Sequence, residues 1–200
     1  MDYFFDFDGT VVDLWERFYH VFCDLNGLQN LSLEDYKRIK REYEKDDLVA
    51  KKLGIHISEQ YFNKKRDALE QEYYLFFDKP LVNVKLFNSF IKMNNSYLIT
   101  KRNCVDNLYR EIKRLGFEVE LDKIIVLESN NISKNEWFEK KYYGEKAILV
   151  GDGKEEYNTR FNGKVDLYMV NTGLLNLDTI VDCSCFKKIE KLDHFIIERM

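Results

Sequence analysis

The stretch that most limits the folds open to this chain is its first thirteen residues, Met1 to Asp13. Tyr3, Phe4 and Phe5 form a short apolar run that reads as a buried strand. The run feeds directly into two carboxylates, Asp6 and Asp8, and then into Gly9 and Thr10. Charges at the end of a buried strand are costly unless they are paired or hold a metal. In an extended chain, residues two apart point to the same side. The spacing therefore predicts that Asp6 and Asp8 converge on one cation while Phe7 faces away. Gly9 permits a sharp turn just beyond them. A hard ion such as Mg²⁺ suits one or two carboxylates together with phosphate oxygens.

From residue 81 onward, apolar runs alternate with helical patterns. A helix around 84–93 precedes a strand at 97–100, and a helix around 105–115 ends at Gly116. A strand at 123–127, a helix at 134–142, a strand at 147–150, a helix at 154–161 and a strand at 166–170 follow. Such alternation predicts an α/β fold, a Rossmann-like parallel sheet with helices on both faces. Ligands of such sheets bind at the carboxyl ends of the strands. Asp6, Thr100 and Asp152 all fall at strand ends of that kind, which points to one shared site.

Residues 14–81 have a different texture, rich in Lys, Glu, Tyr and Phe without strand-like runs. Leu14, Phe18, Val21, Phe22 and Leu25 fall near helical spacing, with a stop at Asn26 and Gly27. Ser32 with Asp35 resembles a capping box for a helix reaching about Leu53 and ending at Gly54. Ser58 is placed to cap a third helix running to about Phe77. The expected organisation is thus a core of residues 1–13 and 82–200 with an all-helical insertion, a cap, at 14–81.

The chain has 200 residues, 45% of them hydrophobic, enough for one core with a modest insertion. A formal charge of −4 argues against a nucleic-acid polymer as partner. No apolar run is long enough to span a membrane, and the start lacks the basic and apolar regions of a signal peptide. Four cysteines, Cys23, Cys104, Cys183 and Cys185, do not suggest a disulfide framework, so the expected location is the reducing cytoplasm.

The opening pattern, an apolar strand ending in Asp6, Asp8, Gly9 and Thr10, resembles the first motif of the haloacid dehalogenase superfamily. Three further elements occur in that family's order: Ser96 to Thr100, Lys134 at a helix start, and Ala147 to Asp152. The resemblance covers residues 1 to about 170 and belongs to the branch with a helical cap after motif one.

The resemblance implies a Mg²⁺-dependent phosphatase acting on a small phosphorylated metabolite. Asp6 would be the nucleophile and Asp8 the general acid–base. Lys134 would neutralise the nucleophile and the phosphoryl oxygens, and Thr100 would contact phosphate, with Lys101 or Arg102 a further contact or a rim residue. The metal set would be Asp6, Asp8, Asp152 and Glu156. Glu156 stands where the family usually has an aspartate, and Glu155 is its neighbour. Asp8 favours phosphoryl transfer over carbon–halogen cleavage, because family dehalogenases lack the second aspartate. Such caps exclude bulk water, which favours small substrates.

Each of these residues also has a plainer reading. Asp6 and Asp8 could form an ordinary turn after a strand. Lys134 has rivals in Lys123, Lys140 and Lys141, and Asp13 could be a simple helix N-cap. His20 reads as a packed or surface residue rather than a base, His56 and His194 have no neighbouring Cys or His, and Cys183 with Cys185 lacks a second pair for zinc. Two other functions share the same core: a phosphomutase, and a non-catalytic phosphate or metabolite binder. The mutases of this branch carry a histidine where this chain has Phe18, with His20 two residues on, which weighs against the mutase.

Overall fold

The computed structural model describes residues 1–127, 132–159, 163–180 and 184–200. In chain order the elements are β1 (Asp2–Phe5), β2 (Val12–Asp13), α1 (Trp15–Asn26), α2 (Leu33–Tyr43), α3 (Asp46–Lys52), α4 (Tyr61–Leu69), α5 (Glu72–Leu75) and β3 (Lys79–Pro80). They continue with α6 (Val84–Met93), β4 (Ser96–Lys101), α7 (Val105–Arg114), β5 (Ile124–Leu127), α8 (Lys134–Lys141), β6 (Ala147–Gly151), α9 (Lys154–Tyr157), β7 (Val165–Val170), β8 (Lys187–Ile189) and α10 (Leu192–Ile197). The chain divides into two compact units, Met1–Asp13 with Lys79–Met200, and Leu14–Asp78.

In the first unit, six strands among the described residues form one parallel sheet in the order β5-β4-β1-β6-β7-β8. β1 lies at its centre, with Phe5 opposite Leu98 of β4 and Val150 of β6. Alternation along each strand sends side chains to both faces. Phe5, Leu98 and Val150 join one apolar cluster with Phe87, Phe90, Leu108 and Phe195 from α6, α7 and α10. Phe4, Ile99 and Leu149 join the other with Phe138 of α8 and Leu177. Both faces being covered explains why the strands read as continuous apolar runs. Lys79–Pro80 belong to this unit because they pair antiparallel with Val12–Asp13.

The second unit is helical, with Val21, Phe22, Tyr36, Val49, Tyr61 and Leu75 buried. Gly27 ends α1 in the left-handed conformation at φ 63°. The single helix expected from Leu33 to Leu53 is instead two, because Glu44 takes a positive φ of 57° and Lys45 is extended. The break carries Asp46 into a buried polar knot. Lys40 Nζ donates to it at 2.5 Å, Lys65 Nζ at 2.6 Å and the Tyr61 hydroxyl at 2.7 Å. The helix expected from Ser58 to Phe77 is likewise split, into α4 and α5, by an extended Gln71. Ser58 caps neither, and Leu14 rather than Asp13 holds the N-cap position of α1.

Elsewhere α9 is a single turn, and part of the helix expected at 154–161 falls outside the described residues. β8, at Lys187–Ile189, pairs parallel with β7 and adds a sixth strand to the sheet. Cys183 lies outside the described residues, while Cys185 is half-buried just before β8. Among the described residues no helix is long and apolar enough to cross a membrane.

Candidate active site

The sheet register brings the loops after β1 and β6 together. Asp6 follows β1 directly, and its backbone N–H donates to Val150 O of β6 at 2.9 Å. Two residues past Val150 comes Asp152. Asp6, Asp152 and Glu156 are all buried, and one carboxylate oxygen from each lies within 4.8 Å of the others. Lys134, the first residue of α8, reaches into the group. Its Nζ donates to Asp6 Oδ1 at 2.5 Å and to Glu156 Oε1.

Local sequence explains the placement of each group. Ser133 and Glu136 form a reciprocal capping box that starts α8 exactly one residue before the lysine is needed, so α8 opens with Lys134. Glu156 Oε2 accepts from the backbone N–H of Gly153, which ties it to the start of α9. Thr10 Oγ1 donates to Asp152 Oδ1 at 2.9 Å. Gly9, at φ 81°, and Gly173 make room for Asp152. A Cβ on Gly9 would lie 2.4 Å from Asp152 Oδ2, and one on Gly173 would lie 1.5 Å from it.

The electrostatics follow from crowding buried acids together. Burial pushes Asp6 up from 3.8 to about 7; Lys134 opposes this, while Glu156 and Asp8 add to it. Burial and the charges of Asp6 and Glu156 push Asp152 well above the usual carboxylate range. Burial works against the Lys134 ammonium, but Asp6 and Glu156 outweigh it and raise its hold on the proton. Three acids facing one lysine leave an excess of negative charge that a cation would relieve. The donor set is hard oxygen throughout, which suits Mg²⁺ or a similar ion.

The remaining sequence-predicted residues lie nearby. Asp8 is outside the three-acid cluster: its carboxylate accepts two hydrogen bonds from Arg102, at 2.6 and 2.7 Å. The same-side argument for Asp6 and Asp8 does not apply, because β1 ends at Phe5, before either acid. Thr100 is buried in β4, and Lys101 ends that strand with Nζ 2.9 Å from Glu155 Oε1. Glu155 thus faces lysines, accepting also from the Lys134 backbone N–H at 3.4 Å.

Sequence reasoning missed Thr10 as a partner of Asp152, and it missed Glu111. Glu111 lies on α7 beside the buried Leu108 and Ile112, and its carboxylate takes Arg102 Nη2 at 2.9 Å. An acid on the apolar stripe of an amphipathic helix was the available signal.

The arrangement is a parallel α/β sheet with an acidic cluster and a buried lysine at the carboxyl ends of its strands. No protein-family model and no curated protein matches the chain. Solved structures do. A predicted phosphatase from Clostridium acetobutylicum matches at 13% identity and TM-score 0.67, over 99% of this chain and 97% of that one. A hydrolase of haloacid dehalogenase family IA from Entamoeba histolytica matches at 16% and 0.59, over 95% and 92%. Protein tyrosine kinase A of Mycobacterium tuberculosis matches at 16% and 0.68, over 98% and 96%. At such identities the likeness concerns the fold. The descriptions of these neighbours differ in chemistry, so the shared fold does not by itself assign one.

Proposed function

We propose that this protein is a Mg²⁺-dependent phosphatase that hydrolyses a small phosphomonoester through a phosphorylated Asp6. One arrangement carries the reading: the Lys134 ammonium set between Asp6 and Glu156, inside a cluster of three buried carboxylates. A carboxylate nucleophile needs no base to activate it. Asp6 attacks phosphorus, forming an acyl phosphate as the bond to the leaving oxygen breaks. Asp8 gives that oxygen a proton, then takes one from the water that opens the acyl phosphate. Its side chain is 20% exposed against 10% for Asp6, consistent with a group that meets leaving group and water.

Lys134 offsets the charge of Asp6 and of the phosphoryl oxygens. Asp6, Asp152 and Glu156 would hold the Mg²⁺, which supplies positive charge to the transferring phosphoryl group when bound. Asp8 serves from outside that set. Thr100 and Lys101 are the proposed phosphate contacts, Lys101 exchanging Glu155 for the substrate.

The test is hydrolysis of an aryl phosphate with Mg²⁺ by wild type and Asp6→Asn, followed by a phosphate-release screen over common phosphomonoesters. Activity in the wild type that vanishes in Asp6→Asn is the expected outcome. Equal rates in the two proteins would refute the catalytic role.

A further inference from the structure

Asp8, Arg102 and Glu111 form a linked chain that the cluster around Asp6 does not explain. Arg102 follows β4 and is 3% exposed; it grips Asp8 at two points, Nε to Oδ2 at 2.6 Å and Nη2 to Oδ1 at 2.7 Å. The same Nη2 donates to Glu111 Oε2 at 2.9 Å, and the Glu111 side chain is 1% exposed. A guanidinium docked edge-on to a carboxylate fixes the plane and direction of the acid as well as its position. Placing Glu111 on the buried face of α7 is costly unless it is paired, and the pairing it makes is with Arg102.

We propose that Arg102, anchored by Glu111, is a positioning residue that aims the Asp8 carboxyl group at the leaving oxygen and keeps it out of the ion-binding cluster. This inference rests on the phosphatase reading above. Asp8 is only two residues from Asp6, and a free carboxylate there would be drawn to any cation held by Asp6, Asp152 and Glu156. A carboxyl group bound to the ion is no longer available to the leaving oxygen. The two-point grip from β4 prevents that, and Glu111 prevents Arg102 from following its partner. Lysine at position 102 would supply charge without the fork, so the geometry rather than the charge is what the chain provides.

The readout that isolates aim from general damage is leaving-group dependence. A nitrophenyl phosphate departs without proton help, whereas glycerol phosphate needs it. In Arg102→Ala and Arg102→Lys, kcat/KM for glycerol phosphate should fall by about 100-fold, and that for the nitrophenyl ester by less than about tenfold. Added guanidinium ion should restore part of the glycerol phosphate rate in Arg102→Ala. Glu111→Gln, which keeps the Asp8–Arg102 contact, should show the same bias in weaker form and covers the case in which an Arg102 variant folds poorly. Equal losses on the two esters, or no loss on either, would overturn the positioning role while leaving the phosphatase reading intact. Wild-type protein inactive on both esters would instead remove that reading and this inference with it.

Discussion

Lys134 and Asp6 stand 128 positions apart in the chain, yet their charged atoms meet at 2.5 Å in a buried pocket. The ammonium also takes Glu156, so one cation stabilises two acids that would otherwise repel. Removing one member of a buried ion pair leaves the rest uncompensated. Lys134→Met should therefore destabilise the metal-free protein by about 3–5 kcal/mol. Urea unfolding of variant and wild type, with and without Mg²⁺, measures this. A variant as stable as wild type without metal would show that the pair contributes nothing.

Acid titration should reveal the crowded carboxylates. The Asp6 carboxyl is raised from 3.8 to about 7 in the folded protein. Below 3.8 it is protonated whether the chain is folded or not. Between 3.8 and 7 the unfolded chain releases the proton first, so Asp6 makes the metal-free protein lose stability as pH rises through that window. Asp46 has the opposite sign: burial opposes its charge, but Lys65 and Lys40 win and lower it, so its contribution grows with pH. The Asp6 share is isolated as the stability difference between wild type and Asp6→Asn measured from pH 4 to 8. That difference should move against the wild type as pH rises.

Cation binding should expel protons near neutral pH. Asp6 and Asp152 are both raised, so part of the cluster carries protons that an ion must displace. Calorimetric Mg²⁺ titrations in buffers of differing ionisation heat should show proton release at pH 6. Heats independent of the buffer at pH 6 would contradict this.

Gly173 is expected to be intolerant of any side chain. Its added Cβ would collide with Asp152 Oδ2 at 1.5 Å. Gly173→Ala should displace that carboxylate, weaken Mg²⁺ binding at least about tenfold and cost about 1–3 kcal/mol in stability. Gly27→Ala is the control: at φ 63° it strains the backbone but has open space around it, so it should cost about 1 kcal/mol and leave Mg²⁺ binding unchanged.

The Asp46 knot predicts a second weak point, within the helical unit. Asp46→Asn leaves Lys40, which is 3% exposed, and Lys65 without their shared acid. A loss of about 3 kcal/mol in unfolding free energy is expected. A thermal melt indistinguishable from wild type would refute it.

The inner strands of the sheet were legible because they are buried on both faces and so read as continuous apolar runs; β8, mostly exposed, was not. Asp6 and Asp152 stood out in the sequence for the same reason, since each interrupts such a run at its end. Lys134 needed the order of elements, yet Ser133 and Glu136 would have located the helix start unaided. Periodicity failed where tertiary pairing overrides it. It ran α2 into α3 because nothing nearby in the chain announces that Asp46 seeks Lys40, Lys65 and Tyr61. It put Asp8 beside Asp6 because the rule for strands was carried past the point where the strand stops. The pairing of Arg102 with Asp8, and Glu111 altogether, stayed hidden for a related reason: what matters is a partner 94 positions away in one case and a helix face in the other.

The strand order has a consequence for biogenesis. Thr10 and Asp152 are 142 positions apart, and they meet only once β1 and β6 lie side by side. A nascent chain still short of residue 152 lacks two of the three clustered acids, so on the proposed reading an ion would bind late and could not template the first steps of folding.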